Sequence, residues 1–260
     1  MAGGQGERTA DNLFLAIERQ SATDEIRELL KTCPASSLGE TDSMGSPPLL
    51  RAVQCQAPLG TVLALLRECS KTGVGMTDPY GRTALHWLIE EGYPSEEILA
   101  VLNAHPQAVS MVDGFGSTPL HYIARKRLIR RTYDSSVLRK VIEADPEAIR
   151  ALDGRGRTPL VLGKARGAPT EALTILSNTE LLVKGTPSYQ EATSIFSSFQ
   201  SLEWWWGMKF VVDVHPAVLG EVENLRQKLL PHILSKEWRW NVLGVTFELV
   251  RTFGTAPCVE

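Results

Sequence analysis

Four Asp-x-x-Gly tetrads recur along this chain at nearly constant distance, and no other feature of the sequence constrains its fold so strongly. They are Asp42-Ser-Met-Gly45, Asp78-Pro-Tyr-Gly81, Asp113-Gly-Phe-Gly116 and Asp153-Gly-Arg-Gly156, with aspartates 36, 35 and 40 residues apart. A period of this size implies one supersecondary unit per repeat. Such units stack because none can bury its apolar face alone. The tetrad itself is tight-turn sequence: the Asp side chain bonds the backbone ahead of it, and Gly accepts positive φ.

A helix start follows each turn. Thr118-Pro119 and Thr158-Pro159 place a capping hydroxyl before a proline at the first helical position, where the missing N–H costs nothing. Thr83-Ala84 is the variant in the second copy, and Pro47-Pro48 stands in the first. A second apolar stretch of helical period comes next. Val62, Leu63, Leu65 and Leu66 match Ile98, Leu99, Val101 and Leu102 at an offset of 36, and Val137, Leu138, Val141 and Ile142 do the same in the following unit. Leu173, Ile175 and Leu176 complete the set, with Ser95 and Thr170 as expected N-caps. His105-Pro106 and Asp145-Pro146 stop the second helix, since a residue before Pro is pushed out of the α region.

The expected organisation is therefore a flexible N-terminus (1–10), five units (11–41, 42–77, 78–112, 113–152 and 153–183), and a tail (184–260). The tail shows no repeat phase. It holds five of the six tryptophans, including Trp204-Trp205-Trp206, and reads as two to four helices forming a cap or extension. Consecutive residues of a helix lie about 100° apart, so the triplet cannot face one side. It is expected as core of a small bundle, with a membrane-interface or partner-anchoring role as the alternative.

Asp113-Gly-Phe-Gly-Ser-Thr-Pro-Leu-His121 matches the hallmark of the ankyrin repeats in full. Residues 78–86 match it with Ala84 for Pro, and 153–161 match it with Val161 for His. Over residues 11–183 the chain resembles that family, although its units exceed the usual period of about 33. The resemblance implies an all-α ankyrin solenoid. In this reading Asp78, Gly81, Thr83, His86, Asp113, Gly116, Thr118, Pro119, His121, Asp153, Gly156, Thr158 and Pro159 are structural, with each imidazole bonding turn backbone.

Composition narrows the function. Hydrophobic residues make up 43% of the chain and charged residues 22%, with a net charge of −3. That balance argues against disorder and makes nucleic acid an unexpected direct ligand. No apolar run approaches the roughly 18 residues of a membrane helix. The opening Met1–Arg8 lacks the apolar core of a secretory leader, and Cys33, Cys55, Cys69 and Cys258 form no CxxC pair. A cytoplasmic or nuclear, reducing location is expected. No nucleophile–base pair, metal spacing or phosphate loop stands out, so no enzyme, no cofactor and no metal is expected.

What remains is recognition of another protein. The residue before each turn glycine is Met44, Tyr80, Phe115 and Arg155 in succession, and in an ankyrin stack these tips line the concave face. Aromatics, Met and Arg are the residue types enriched at interfaces. Tyr80 and Phe115 could equally fold back onto neighbouring turns. Glu90, Glu91, Arg125 and Lys126 would extend the surface along the first helices. The run Arg125, Lys126, Arg127, Arg130 and Arg131 is either a solvated loop or a patch for nuclear import or an acidic partner. The chain is thus expected to be a non-catalytic adaptor or regulatory subunit. A nuclear regulatory protein is the alternative, and an enzyme with its site in 184–260 the weaker one.

Overall fold

The computed structural model describes residues 3–72, 77–125, 135–185 and 187–221. Among the described residues every regular element is helical, apart from an isolated bridge between Thr77 and Thr83. No helix among them is long and apolar enough to cross a membrane. The chain divides into two compact units, Met1–Thr186 and Pro187–Glu260.

The first unit is built of five helix pairs: α1 (Gly3–Glu18) with α2 (Thr23–Thr32), α3 (Pro48–Gln54) with α4 (Leu59–Thr72), α5 (Ala84–Glu91) with α6 (Ser95–Ala104), α7 (Pro119–Arg125) with α8 (Ser135–Ala144), and α9 (Pro159–Arg166) with α10 (Thr170–Val183). The first helices pack in series, α1 on α3, α3 on α5, α5 on α7 and α7 on α9. The second helices form a parallel series from α2 to α10, so the unit is a two-layer stack. Its core runs between the layers. Leu49, Leu50, Leu65, Leu66, Leu85, Leu88, Leu120 and Leu138 are all fully buried. Each such leucine contributes about 1.5–3 kcal/mol by leaving water.

A left-handed residue ends most first helices: Gln20 (φ 54°), Gln56 (φ 54°), Gly92 (φ 76°) and Gly167 (φ 70°). The residue after it reaches back to the helix: Ala57 N–H to Ala52 O, Tyr93 N–H to Leu88 O, and Ala168 N–H to Gly163 O. This C-terminal motif satisfies carbonyls the helix leaves free and reverses the chain within three residues. The second helices of three pairs lead into short 3₁₀ turns, Ala35–Gly39, Pro106–Val109 and Pro146–Arg150, each entered through a proline.

Several sequence expectations need correction here. Residues 3–10 form the first part of α1 rather than a flexible terminus, although Gly3, Gly4 and Gly6 are poor helix formers. Ser95 and Thr170 are the first helical residues, not N-caps; Pro94 and Pro169 precede them and make no side-chain bond to the helix. The unit boundary falls at Thr186–Pro187 rather than at 184.

The tail does carry the repeat grammar. Its described part is α11 (Tyr189–Ser201), α12 (Trp205–Val214) and a 3₁₀ turn (Pro216–Glu221). A left-handed residue, Glu203 (φ 52°), joins the two helices, 36 residues after Gly167. Trp204 N–H returns to Phe199 O at 2.9 Å, and His215-Pro216 ends α12 as His105-Pro106 ends α6. Trp204 is buried, edge-on to Phe199 at 4.7 Å, while Trp205 and Trp206 are half-buried. The ring of Trp204 lies so close to Gly207 that a Cβ there would sit 2.5 Å from it.

Candidate functional site

Each Asp-x-x-Gly segment forms the same hydrogen-bonded turn. The aspartate Oδ1 accepts two backbone N–H groups, those two and four residues ahead. For Asp113 these are Phe115 N–H at 2.9 Å and Ser117 N–H at 2.8 Å, and Asp42, Asp78 and Asp153 repeat the pattern. Gly45, Gly81, Gly116 and Gly156 all have φ between 70° and 74°, which is why glycine occupies them.

In the second and third turns the other carboxylate oxygen anchors the turn to the helix that follows it. Oδ2 of Asp113 accepts from the Tyr122 hydroxyl at 2.7 Å, and Oδ2 of Asp78 from Trp87 Nε1 at 3.1 Å and Arg82 Nε at 2.7 Å. Arg157 approaches Asp153 Oδ2 with Nε at 2.9 Å and an Nη at 2.7 Å. Burial pushes the Asp153 carboxyl up, but Arg157 and the two backbone donors outweigh it and hold its pKa at about 2. Burial, and then the carboxylate it donates to, push the Tyr122 phenol well above its ordinary range.

The second, third and fourth turns are joined in two ways. Gly114 N–H donates to Tyr80 O at 2.6 Å and Gly154 N–H to Phe115 O at 2.7 Å. The approach admits no side chain at the donor: a Cβ on Gly154 would lie 2.7 Å from Phe115 O. Behind this ladder stand the fully buried His86 and His121. The Thr83 N–H donates to His86 Nδ1 at 3.2 Å, so Nε2 carries the proton and donates to Ser117 O of the next turn at 3.1 Å. His121 repeats this with Thr118 and with Arg157 O at 3.0 Å. Burial drives the His86 pKa down to about 4 and lowers that of His121, so both imidazoles stay neutral.

The tip residues point away from this rigid backbone. Met44 is 73% exposed, Tyr80 57% and Phe115 67%, and Arg155 is exposed as well. The alternative in which the aromatics fold onto neighbouring turns is therefore not what is found. Arg82 lies beside Tyr80, its guanidinium 5.0 Å from the Tyr80 ring and 4.0 Å from the Trp87 ring. Two apolar residues escaped the sequence reading. Val112 (54% exposed) and Leu152 (60%) immediately precede Asp113 and Asp153. Hydrophobic residues at this register in the last two copies, against Thr41 and Thr77 in the first two, were the signal that could have found them.

Of the charged candidates, Arg125 and Glu90 come together, with Nη2 to Oε2 at 2.6 Å, and Arg125 also stacks 3.8 Å from the Tyr122 ring. Its charge is thus committed to the stack. Glu91 does not continue that surface; it lines a cleft at the helix-pair joints with Gln56, Tyr93 and Glu97. Lys126, Arg127, Arg130 and Arg131 lie outside the described residues. Cys69 is fully buried, its thiol pushed up to about 12 by burial, so it is no nucleophile at neutral pH. Among the described residues no three His, Cys, Asp or Glu side chains converge as metal ligands.

Comparison of the chain with models of known protein families gives no match, and no curated protein matches it.

Proposed function

We propose that the chain is an ankyrin-repeat protein whose function is to bind another protein, as a non-catalytic adaptor or regulatory subunit, through the row of turn tips. The observation that carries this reading is the exposure of Met44, Tyr80 and Phe115 on turns braced by their aspartates, those of Tyr80 and Phe115 being joined as well by a backbone bond and by His86. A large apolar side chain on a rigid support loses little entropy on binding. Three in a row, extended by Val112 and Leu152, form an exposed apolar surface along the turns. Four copies of the Asp-x-x-Gly turn, three of them within near-complete hallmark motifs, support the family assignment, as do the histidine bonds reaching the next turn.

The test is capture of partners from native lysate by the full chain beside a Tyr80→Ala, Phe115→Ala double variant. Truncating an interface aromatic typically costs about 2 kcal/mol, roughly thirtyfold in affinity. Partners should be lost while the helical circular dichroism is unchanged. Equal capture by both proteins sinks the tip-row reading.

A further inference from the structure

Two backbone bonds join the second turn to the third and the third to the fourth, and beyond the fourth turn the end differs from these junctions in several respects. Within the ladder, Tyr80 O and Phe115 O each accept an N–H from the next turn; among the described residues nothing donates to Arg155 O. A Cβ on Gly81 or Gly116 would meet the next turn at 3.2 or 3.0 Å, whereas one on Gly156 meets nothing within 4 Å. His86 and His121 are fully buried because the following turn takes their Nε2; Val161, at the same register, is 50% exposed. Ile89 and Ala124 are buried, and Lys164 at the same register is exposed.

Charge at this end is one-sided. Residues 154–170 contain Arg155, Arg157, Lys164 and Arg166 and no acid. Arg157 is taken up by Asp153. No carboxylate among the described residues pairs with Arg155, Lys164 or Arg166, although Arg51, Arg82, Arg125, Arg139 and Lys184 all have acidic partners.

We propose that this open end, from Leu152 to Lys164, is a docking edge for an acidic, extended segment of a partner protein. The segment donates a backbone N–H to Arg155 O, as Gly114 and Gly154 do to the tips before them. Its carboxylates meet Arg155 and Lys164, and an apolar residue covers Val161 and Leu152. This is strand addition transferred to a ladder of turns: main-chain bonds supply register, and side chains supply choice. The proposal rests on the protein-binding reading and names the chemistry of the partner at one end of that surface.

The experiment measures binding of the full chain to three labelled probes: a short peptide alternating Glu and Leu, its Gln-for-Glu counterpart, and a single-stranded oligonucleotide of equal charge. The Glu peptide should bind, the Gln peptide about tenfold more weakly, and the affinity should fall with salt because the pairs are exposed. Arg155→Glu with Lys164→Glu should remove most of the binding at an unchanged melting temperature, and Tyr80→Ala with Phe115→Ala should leave it intact. N-methylation of the peptide backbone should abolish it. Equal binding of the Glu and Gln peptides overturns the proposal, as does indifference to the charge reversal or to N-methylation. An oligonucleotide bound as tightly as the Glu peptide also overturns it, by showing an undiscriminating polyanion surface. If the Glu peptide fails while the Tyr80 and Phe115 variant still loses partners from lysate, the docking edge is wrong and the tip-row reading stands.

Discussion

The backbone N–H of Gly114 sits 2.6 Å from the carbonyl oxygen of Tyr80, so the tip that carries an exposed aromatic is itself a rung of a hydrogen-bonded ladder. In the proposed reading, recognition and stability thereby meet in adjacent atoms of one residue. The Tyr80 side chain is exposed while its main chain holds the next turn in register. Substitutions in this region are expected to separate cleanly into those that touch the ladder and those that touch only its outer surface.

Gly116 and Gly156 make the sharpest comparison. Both have positive φ, so alanine at either should cost about 1 kcal/mol for the left-handed conformation alone. At Gly116 the new Cβ also lies 3.0 Å from Gly154 N, whereas at Gly156 it meets open space. Gly116→Ala should therefore be the more destabilising in urea unfolding, and its effect should reach the neighbouring repeat, because stacked units share interfaces. Equal midpoints for the two variants would show that adjacent turns do not touch in solution.

Arg82 and Arg155 provide a second pair. Arg82 bonds the buried Asp78 carboxylate and stacks on Trp87, while Arg155 makes no side-chain contact of that kind. Arg82→Ala should cost about 1–3 kcal/mol, since it strips a partner from a buried carboxylate. Arg155→Ala should stay within about 0.5 kcal/mol. Thermal melts of the two variants decide the matter, and a large loss at Arg155 would contradict its exposed placement.

Acid should weaken the stack through its histidines. The pKa of His86 falls from its ordinary 6.5 to about 4 on folding, because burial penalises the imidazolium. Between those values the unfolded chain binds more protons than the folded one, so stability falls as pH drops from about 6.5 toward 4 and is flat above. The slope for this group is about 1.4 kcal/mol per pH unit. His121 shifts in the same direction. Below about pH 4 the Asp153 carboxylate, held at about 2, adds a further loss with acid. His86→Leu should reduce the slope between pH 4 and 6.5 while lowering stability at pH 7, since Ser117 O loses its donor. An unchanged slope would mean that His86 is not buried neutral.

Much of the first unit was legible in the sequence because its signals are local and repeated. Turn aspartate, left-handed glycine and helix-starting Thr-Pro all act within nine residues, and each copy checks the others. The histidines were assigned to turn backbone through the resemblance, but which neighbour takes Nε2 depends on stacking and could not be read from one repeat. The ladder's open end was equally hidden. Val161 in place of His reads as a degenerate motif until the missing next turn gives it a reason. In the tail the sequence shows no repeat phase, whereas the structure has a left-handed joint at Glu203, 36 residues after Gly167, and a helix stop at His215-Pro216. Such a joint requires only one left-handed residue, and with Glu there rather than Gly the sequence carries no mark of it.

That joint yields the last prediction. Gln56 and Glu203 occupy the left-handed position that Gly92 and Gly167 fill elsewhere, and a side chain there costs roughly 1 kcal/mol relative to glycine. Both residues are exposed, so replacing them removes no packing. Gln56→Gly should therefore stabilise the first unit and Glu203→Gly the second, each by about 0.5–1 kcal/mol, less what glycine returns to the unfolded chain as entropy. The readout is native-state hydrogen exchange, which reports each region separately. Amides of α3 and α4 should gain protection in Gln56→Gly, and amides of α11 and α12 in Glu203→Gly. Slower exchange in neither variant would mean that these residues are not left-handed in solution. The repeat phase assigned to Tyr189–Val214 would then lose its joint.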